Sequence, residues 1–154
     1  MDIASALFLM IASALPFVEA RYAIPPAILS GQFTAPEAFL LGFVGNVIPV
    51  IVVLLLLEPV SIFLSTHSRH FERFFTWLFD RTRKHSERFE KWGALALMPF
   101  VAVPLPVTGA WTACAAAFVF GIRFRYALPT IAAGILIAAL ITTLATVGII
   151  GGLA

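Results

Sequence analysis

The chain has 154 residues, 61% of them hydrophobic and 12% charged, with a formal net charge of +2. So few polar side chains cannot cover a soluble globule of this size, so the composition points to a lipid bilayer. The small net charge leaves no footprint for nucleic acid, and no basic and aromatic interleaving of the RNA-binding kind occurs. One cysteine, Cys114, in an apolar stretch excludes an internal disulfide and a Cys/His metal pattern.

Residues 3–18 read as an apolar helix interrupted at Pro16. The run ending Ala12-Ser13-Ala14 imitates a signal peptide, but Asp2 stands where a basic n-region belongs, and the segment reads as structural. A second short helix is expected over about 24–29, before Ser30-Gly31-Gln32. Neither piece is long enough to span. Ala35-Pro36-Glu37 suits a helix start, and the first full crossing is expected over 36–57, kinked at Pro49 and ending near Glu58-Pro59.

Residues 65–92 change character, holding most of the basic side chains and all three histidines. Phe71, Phe74, Phe75 and Leu78, then Phe89 and Trp92, recur at three-and-four spacing, which sets aromatics against charges as in an interfacial helix. A solvated helix packed on the rest of the protein fits the same pattern. Over 93–121 the apolar character returns, but Pro99, Pro104, Pro106 and Gly109 divide it into half-crossings, which reads as a re-entrant hairpin with an extended turn at 104–109. Arg123 and Arg125 follow, and the last crossing is expected over 127–150.

Charge tests this topology, because Lys and Arg near the membrane gather on the cytoplasmic side. If 93–121 enters and leaves on one face, the basic segment and Arg123/Arg125 share that face. The expectation is therefore a cytoplasmic segment 65–92, with both termini outside, in the cell membrane. The halves overlay loosely, Pro16-Phe17-Val18 on Pro99-Phe100-Val101, Ala38 on Ala127 and Gly45 on Gly134. The fold expected is all-α and integral to the membrane: two inverted repeats, each a re-entrant helical hairpin followed by a transmembrane helix, joined by an amphipathic helix.

Glu19 and Arg21 are ionisable groups placed at membrane depth, where each costs a few kcal/mol or more and needs a partner or water. Two residues apart, they do not share a helix face, but in an irregular tip both could line one cavity. Glu19 then binds and releases a proton or counter-ion while Arg21 holds an anionic group; a purely structural pair is the alternative. Pro104, Pro106, Thr108, Gly109, Trp111 and Thr112 form the second tip, where freed carbonyls, hydroxyls and an indole N–H could hold a polar group, or satisfy one another in a tight turn. Asn46 could bond to a tip or act as glue between helices. No catalytic triad order, phosphate loop or zinc motif is present, so neither an enzyme, a metal nor a cofactor is expected.

The sequences EARYAIP from Glu19 to Pro25 and PLPVTGAWT from Pro104 to Thr112 resemble the small multidrug export protein family, over nearly the whole chain. That family is remotely similar to the DedA/VTT membrane proteins. The resemblance implies two opposed re-entrant hairpins, an amphipathic helix, and proton-coupled or lipid-carrier transport, with Glu19, Arg21 and Pro25 in the first motif and Pro104 to Thr112 in the second. Val107 and Ala113 stand where glycine is expected from the resemblance, which implies a narrower or stiffer second tip.

The function expected is a small secondary transporter, a homo-oligomer in the bilayer, that moves an amphipathic or anionic solute or lipid phosphate with proton coupling through Glu19. An uncoupled lipid scramblase and a non-transporting membrane interaction protein are the alternatives.

Overall fold

A computed structural model describes residues 2–82, 87–103 and 109–153. All regular structure among them is helical, in the order α1 (Ile3–Ala14), α2 (Glu19–Leu29), α3 (Ala35–His67), α4 (Arg69–Thr82), α5 (Glu87–Ala102), α6 (Ala110–Val119) and α7 (Phe124–Leu153).

Each boundary has a local cause. Pro16 forces the residue before it out of the helical region, and α1 ends there with Leu15 extended at φ −71° and ψ 141°. Helix α2 runs through Pro25 and Pro26 and closes before Gly31, whose φ of 71° suits a residue without a Cβ. A capping box starts α3: the Glu37 carboxylate accepts from the Thr34 N–H at 2.9 Å and from the Thr34 hydroxyl at 2.8 Å. Gly121, at φ 66°, follows α6 as Gly31 follows α2.

Several boundaries differ from the sequence expectation. Helix α3 does not stop at Glu58-Pro59 but continues to His67, 33 residues or about 50 Å. Proline removes one donor, yet a chain in hydrocarbon has no better partner for its backbone than the helix itself, so the ladder resumes. Segment 65–92 is not one element; it contains the end of α3, all of α4 and the first residues of α5. The shared Pro-Phe-Val is not a structural equivalence: Pro16-Phe17-Val18 link α1 to α2, whereas Pro99-Phe100-Val101 lie inside the last turns of α5.

Two apolar clusters form the interior. One joins Ala6 and Leu9 of α1 to Ala20, Ala23 and Ile24 of α2, with Ala38 of α3 and Ala139 of α7. The other joins Ala94, Leu97 and Val101 of α5 to Ala110, Ala113 and Cys114 of α6, with Val50 of α3 and Ala127, Ile131 and Ile135 of α7. Helix α3 meets the first cluster and then the second, and α7 meets them in the reverse order, so the two long helices run in opposite senses. Close approach is set by glycine. A Cβ at Gly45 would lie 2.5 Å from the Met10 carbonyl oxygen on α1, and one at Gly134 would lie 2.8 Å from the Met98 carbonyl oxygen on α5.

Helices α3 and α7 are long and apolar enough to cross a membrane, and only 22% and 33% of their apolar windows are buried, which is the reverse of a soluble core helix. Their outer faces show Leu40, Val44, Ile48 and Val52, and Ile137, Leu140, Ile141 and Leu144. Helix α4 is amphipathic: Leu78 is buried and Phe75 meets Phe118 of α6 edge to face at 6.1 Å, while Phe71 and Phe74 remain exposed beside them. At the starts of α5 and α7, Lys91, Arg123 and Arg125 gather over the Tyr126 ring, at 5.8, 5.8 and 4.7 Å from its centroid.

Candidate functional site

Glu19 is the first residue of α2 rather than part of an irregular tip, and it has a φ of 51°. A left-handed conformation is uncommon for a residue with a Cβ and persists where the surroundings hold it. That twist explains how two residues at i and i+2 meet: an Arg21 Nη donates to Glu19 Oε2 at 2.9 Å, with both side chains almost wholly buried. In a regular helical turn they would point apart. Pro25, one turn beyond Arg21, has no N–H to offer the Arg21 carbonyl in the usual helical bond.

The other carboxylate oxygen reaches the second half of the chain. The Ala110 N–H, the first of α6, donates to Glu19 Oε1 at 3.0 Å, and the Trp111 backbone N–H is a further donor to the same carboxylate. Residue 109 is glycine, so α6 has no capping side chain of its own. Glu19 supplies the cap from the other half, and its negative charge lies where the helix dipole favours an anion. Gly109 makes the fit possible: a Cβ there would occupy the space of both carboxylate oxygens. Its φ of −171° is ordinary extended backbone, so the requirement is for space alone.

The remaining sequence candidates divide. Thr112 serves the turn, accepting from the Gly109 N–H at 2.9 Å and donating to the Gly109 carbonyl at 2.9 Å. Trp111 Nε1 is buried with no hydrogen-bond partner among the described residues, and so is Asn46 Oδ1. Asn46 is 3% exposed. It lies on the buried stripe Ala38, Gly42, Asn46, Val50 of α3, where Gly42 faces Ile24 of α2. Other buried hydroxyls are satisfied within their own helices, as Ser13 donates to the Leu9 carbonyl and Thr143 to the Ala139 carbonyl. Pro104, Pro106 and Thr108, and with them the rest of the expected second tip, lie outside the described residues. So does Val107, while Ala113 is fully buried in the first turn of α6.

Sequence reasoning missed that backbone amides of α6, not side chains, complete the carboxylate's seat. The available signal was a glycine directly before an apolar helix without a Ser, Thr, Asp or Asn to cap it. The arrangement is a buried carboxylate held by one guanidinium and one helix N-terminus, joining the two halves of the chain through a group that can lose its charge by taking up a proton.

A family model described as "Putative small multi-drug export protein" matches residues 19–141, from Glu19 into α7. No curated protein matches the chain, and no solved structure matches it.

Proposed function

Because the chain belongs to the small multi-drug export protein family, we propose that it is a secondary transporter that moves an amphipathic or anionic solute, or a lipid phosphate, against protons bound at Glu19. Family membership and two apolar helices long enough to cross a bilayer make it a membrane export protein in general. The finer reading rests on the seat of Glu19. The carboxylate bridges Arg21 in one half and Ala110 in the other, so protonation removes the charge on which both bonds depend. Loss of that link frees the two short-helix pairs to move apart, and its return draws them together.

In this reading α1/α2 and α5/α6 are re-entrant pairs that enter from opposite faces, each followed by a crossing helix, as an inverted repeat. The opposed order in which α3 and α7 meet the two clusters supports it. The cations of α5 and α7 around Tyr126 support a second pair that enters and leaves on one face, which the charge rule makes cytoplasmic, with both termini outside. Helix α4 lies along that face with Phe71 and Phe74 toward lipid. The working unit in this reading is a homo-oligomer.

The test is proton movement in proteoliposomes holding a lumenal pH dye, started by adding short-chain phosphatidic acid. Wild type should couple lipid movement to proton flux and Glu19→Gln should lose the flux. Equal flux in the two overturns the coupling, and lipid movement that persists after the gradient is collapsed favours an uncoupled scramblase.

A further inference from the structure

Glu19 holds only one end of α6. Resting on the reading above that α4 lies along the membrane face, and on no part of the proton coupling, we propose that Phe75 of α4 and Phe118 of α6 are positioning residues for the Glu19 seat: α6 is a connecting rod, and the hold of α4 on lipid sets how firmly the carboxylate joins the two halves.

Three observations carry this. First, each end of α6 is held by a different element. At its start the Ala110 N–H donates to Glu19 Oε1 at 3.0 Å. Two turns further on, about 12 Å along the axis, Phe118 meets Phe75 of α4 edge to face, with ring centroids 6.1 Å apart and planes at 76°, a favoured aromatic geometry. Secondly, between those ends α6 buries only small side chains, Ala110, Ala113, Cys114 and Ala117. Packed helices move by small shears, and a face this smooth has no long side chain to lock its axial position. Beyond the short link to α7, the two ends therefore decide where α6 lies. Thirdly, Phe75 is the hub of an aromatic group that reaches the surface. Phe71 stacks on it with centroids 6.4 Å apart, and Phe74 meets it edge-on at 5.3 Å. Those two outer rings are 46% and 52% exposed, whereas Leu78, on the same side of α4, is buried.

The occupant of the outer rings is the lipid leaflet. Arg69, Glu72 and Arg73 line a groove on the opposite side of α4, so the helix has one face for acyl chains and one for water. With Phe71 and Phe74 among lipid, Phe75 is fixed at the membrane surface, and through Phe118 it keeps α6 against the carboxylate. When α4 lifts, Phe118 loses its stop and α6 is free to withdraw from Glu19. Every link in this chain, from lipid-facing ring to buried carboxylate, is a direct contact between neighbouring groups.

The test is amide hydrogen exchange of the full chain in lipid nanodiscs, read at single amides. Phe75→Ala should speed exchange of the Ala110 and Trp111 amides, at the far end of α6, by about tenfold or more, while amides in the middle of α3 and α7 keep their wild-type rates. By reciprocity, Glu19→Gln should speed the Phe120 and Ile122 amides, which close the other end of α6 on Ala116 and Ala117. Faster exchange beside Phe118 alone, with Ala110 unchanged, overturns the proposal, and so does a uniform rise that includes α3 and α7. If Phe75→Ala does not fold, the double variant Phe71→Ser/Phe74→Ser replaces it, since both rings are exposed; it should speed the Ala110 amide at least about threefold, and a wild-type rate there overturns the link to lipid. Loss of proton flux in Glu19→Gln with no effect of Phe75→Ala on Ala110 removes this inference and leaves the transporter reading standing. Faster exchange at Ala110 with flux unchanged in Glu19→Gln supports the link and removes the proton coupling instead.

Discussion

Gly109→Ala tests the site through a single methyl group. Its backbone is extended at φ −171° and ψ −177°, which alanine adopts freely, so no conformational penalty enters. The added Cβ falls in the space of both Glu19 oxygens, so either the carboxylate or the start of α6 must retreat. Retreat lengthens the 3.0 Å bond from Ala110, a hydrogen bond to a charged group whose loss costs about 1.5–3 kcal/mol. Residual overpacking adds about 1 kcal/mol more. A destabilisation of about 2–4 kcal/mol is expected in unfolding of the purified protein in mixed micelles. Gly93→Ala is the control, because a Cβ there meets only Ile122 Cδ1 at an ordinary 3.5 Å inside a helix, where alanine is favoured by up to about 1 kcal/mol. The cause is then isolated by a cycle: in a Glu19→Ala background the methyl has nothing to displace, so the cost of Gly109→Ala should fall by at least about 1.5 kcal/mol. Equal cost in both backgrounds would refute the assignment of Glu19 to this seat.

Removing Arg21 alone, as Arg21→Met, leaves a buried carboxylate without its cation and should cost about 3–5 kcal/mol, whereas the double change with Glu19→Gln should cost less than the two singles together; strict additivity in the same unfolding assay counts against the pair. Gly45→Ala and Gly134→Ala drive a Cβ into the backbone carbonyls of Met10 and Met98 and should each lower the melting temperature more than Gly148→Ala, around which nothing lies within 4 Å; similar shifts in all three would reject the close packing. Single cysteines placed at Gln32, Ser68 and Arg123 in a Cys114→Ser background test topology with a membrane-impermeant maleimide. Positions 68 and 123 should label from one side and 32 from the other, and labelling of 68 and 123 from opposite sides would turn the second short-helix pair into a crossing.

The two long helices were readable from composition because hydrophobicity over twenty residues is a sum to which every side chain contributes. Their ends were less so: Glu58-Pro59 looks like a stop by the rules of water, and in lipid the helix continues to His67 because its backbone has no alternative partner. The loose overlay of the halves picked out small residues, Ala38/Ala127 and Gly45/Gly134, that are each fixed by tight packing, but Pro-Phe-Val misled, since the shared tripeptide lies in a link in one half and in a helix in the other. Glu19 and Arg21 stood out because charge is rare in an apolar chain. Their pairing did not, since it depends on one left-handed φ at Glu19 that no residue type announces. Backbone donors from 91 residues away leave still less trace, because any sequence supplies an N–H.

The two halves contribute unlike groups to their meeting point, and this bears on how coupling would work. The first half supplies both charges, Glu19 and Arg21, and the second supplies backbone amides. A helix N-terminus attracts an anion but not a protonated acid with comparable strength. Neutralising Glu19 therefore removes the charge-assisted contact between the halves, whereas the apolar contacts that α3 and α7 make in both clusters, and the glycine-mediated contacts between α1 and α3 and between α5 and α7, are independent of charge. In the proposed transporter, a proton bound at one oxygen would thus alter the contact between the two halves. Had the carboxylate's partners all come from α2, protonation would have altered one helix and left the contact between the halves unchanged.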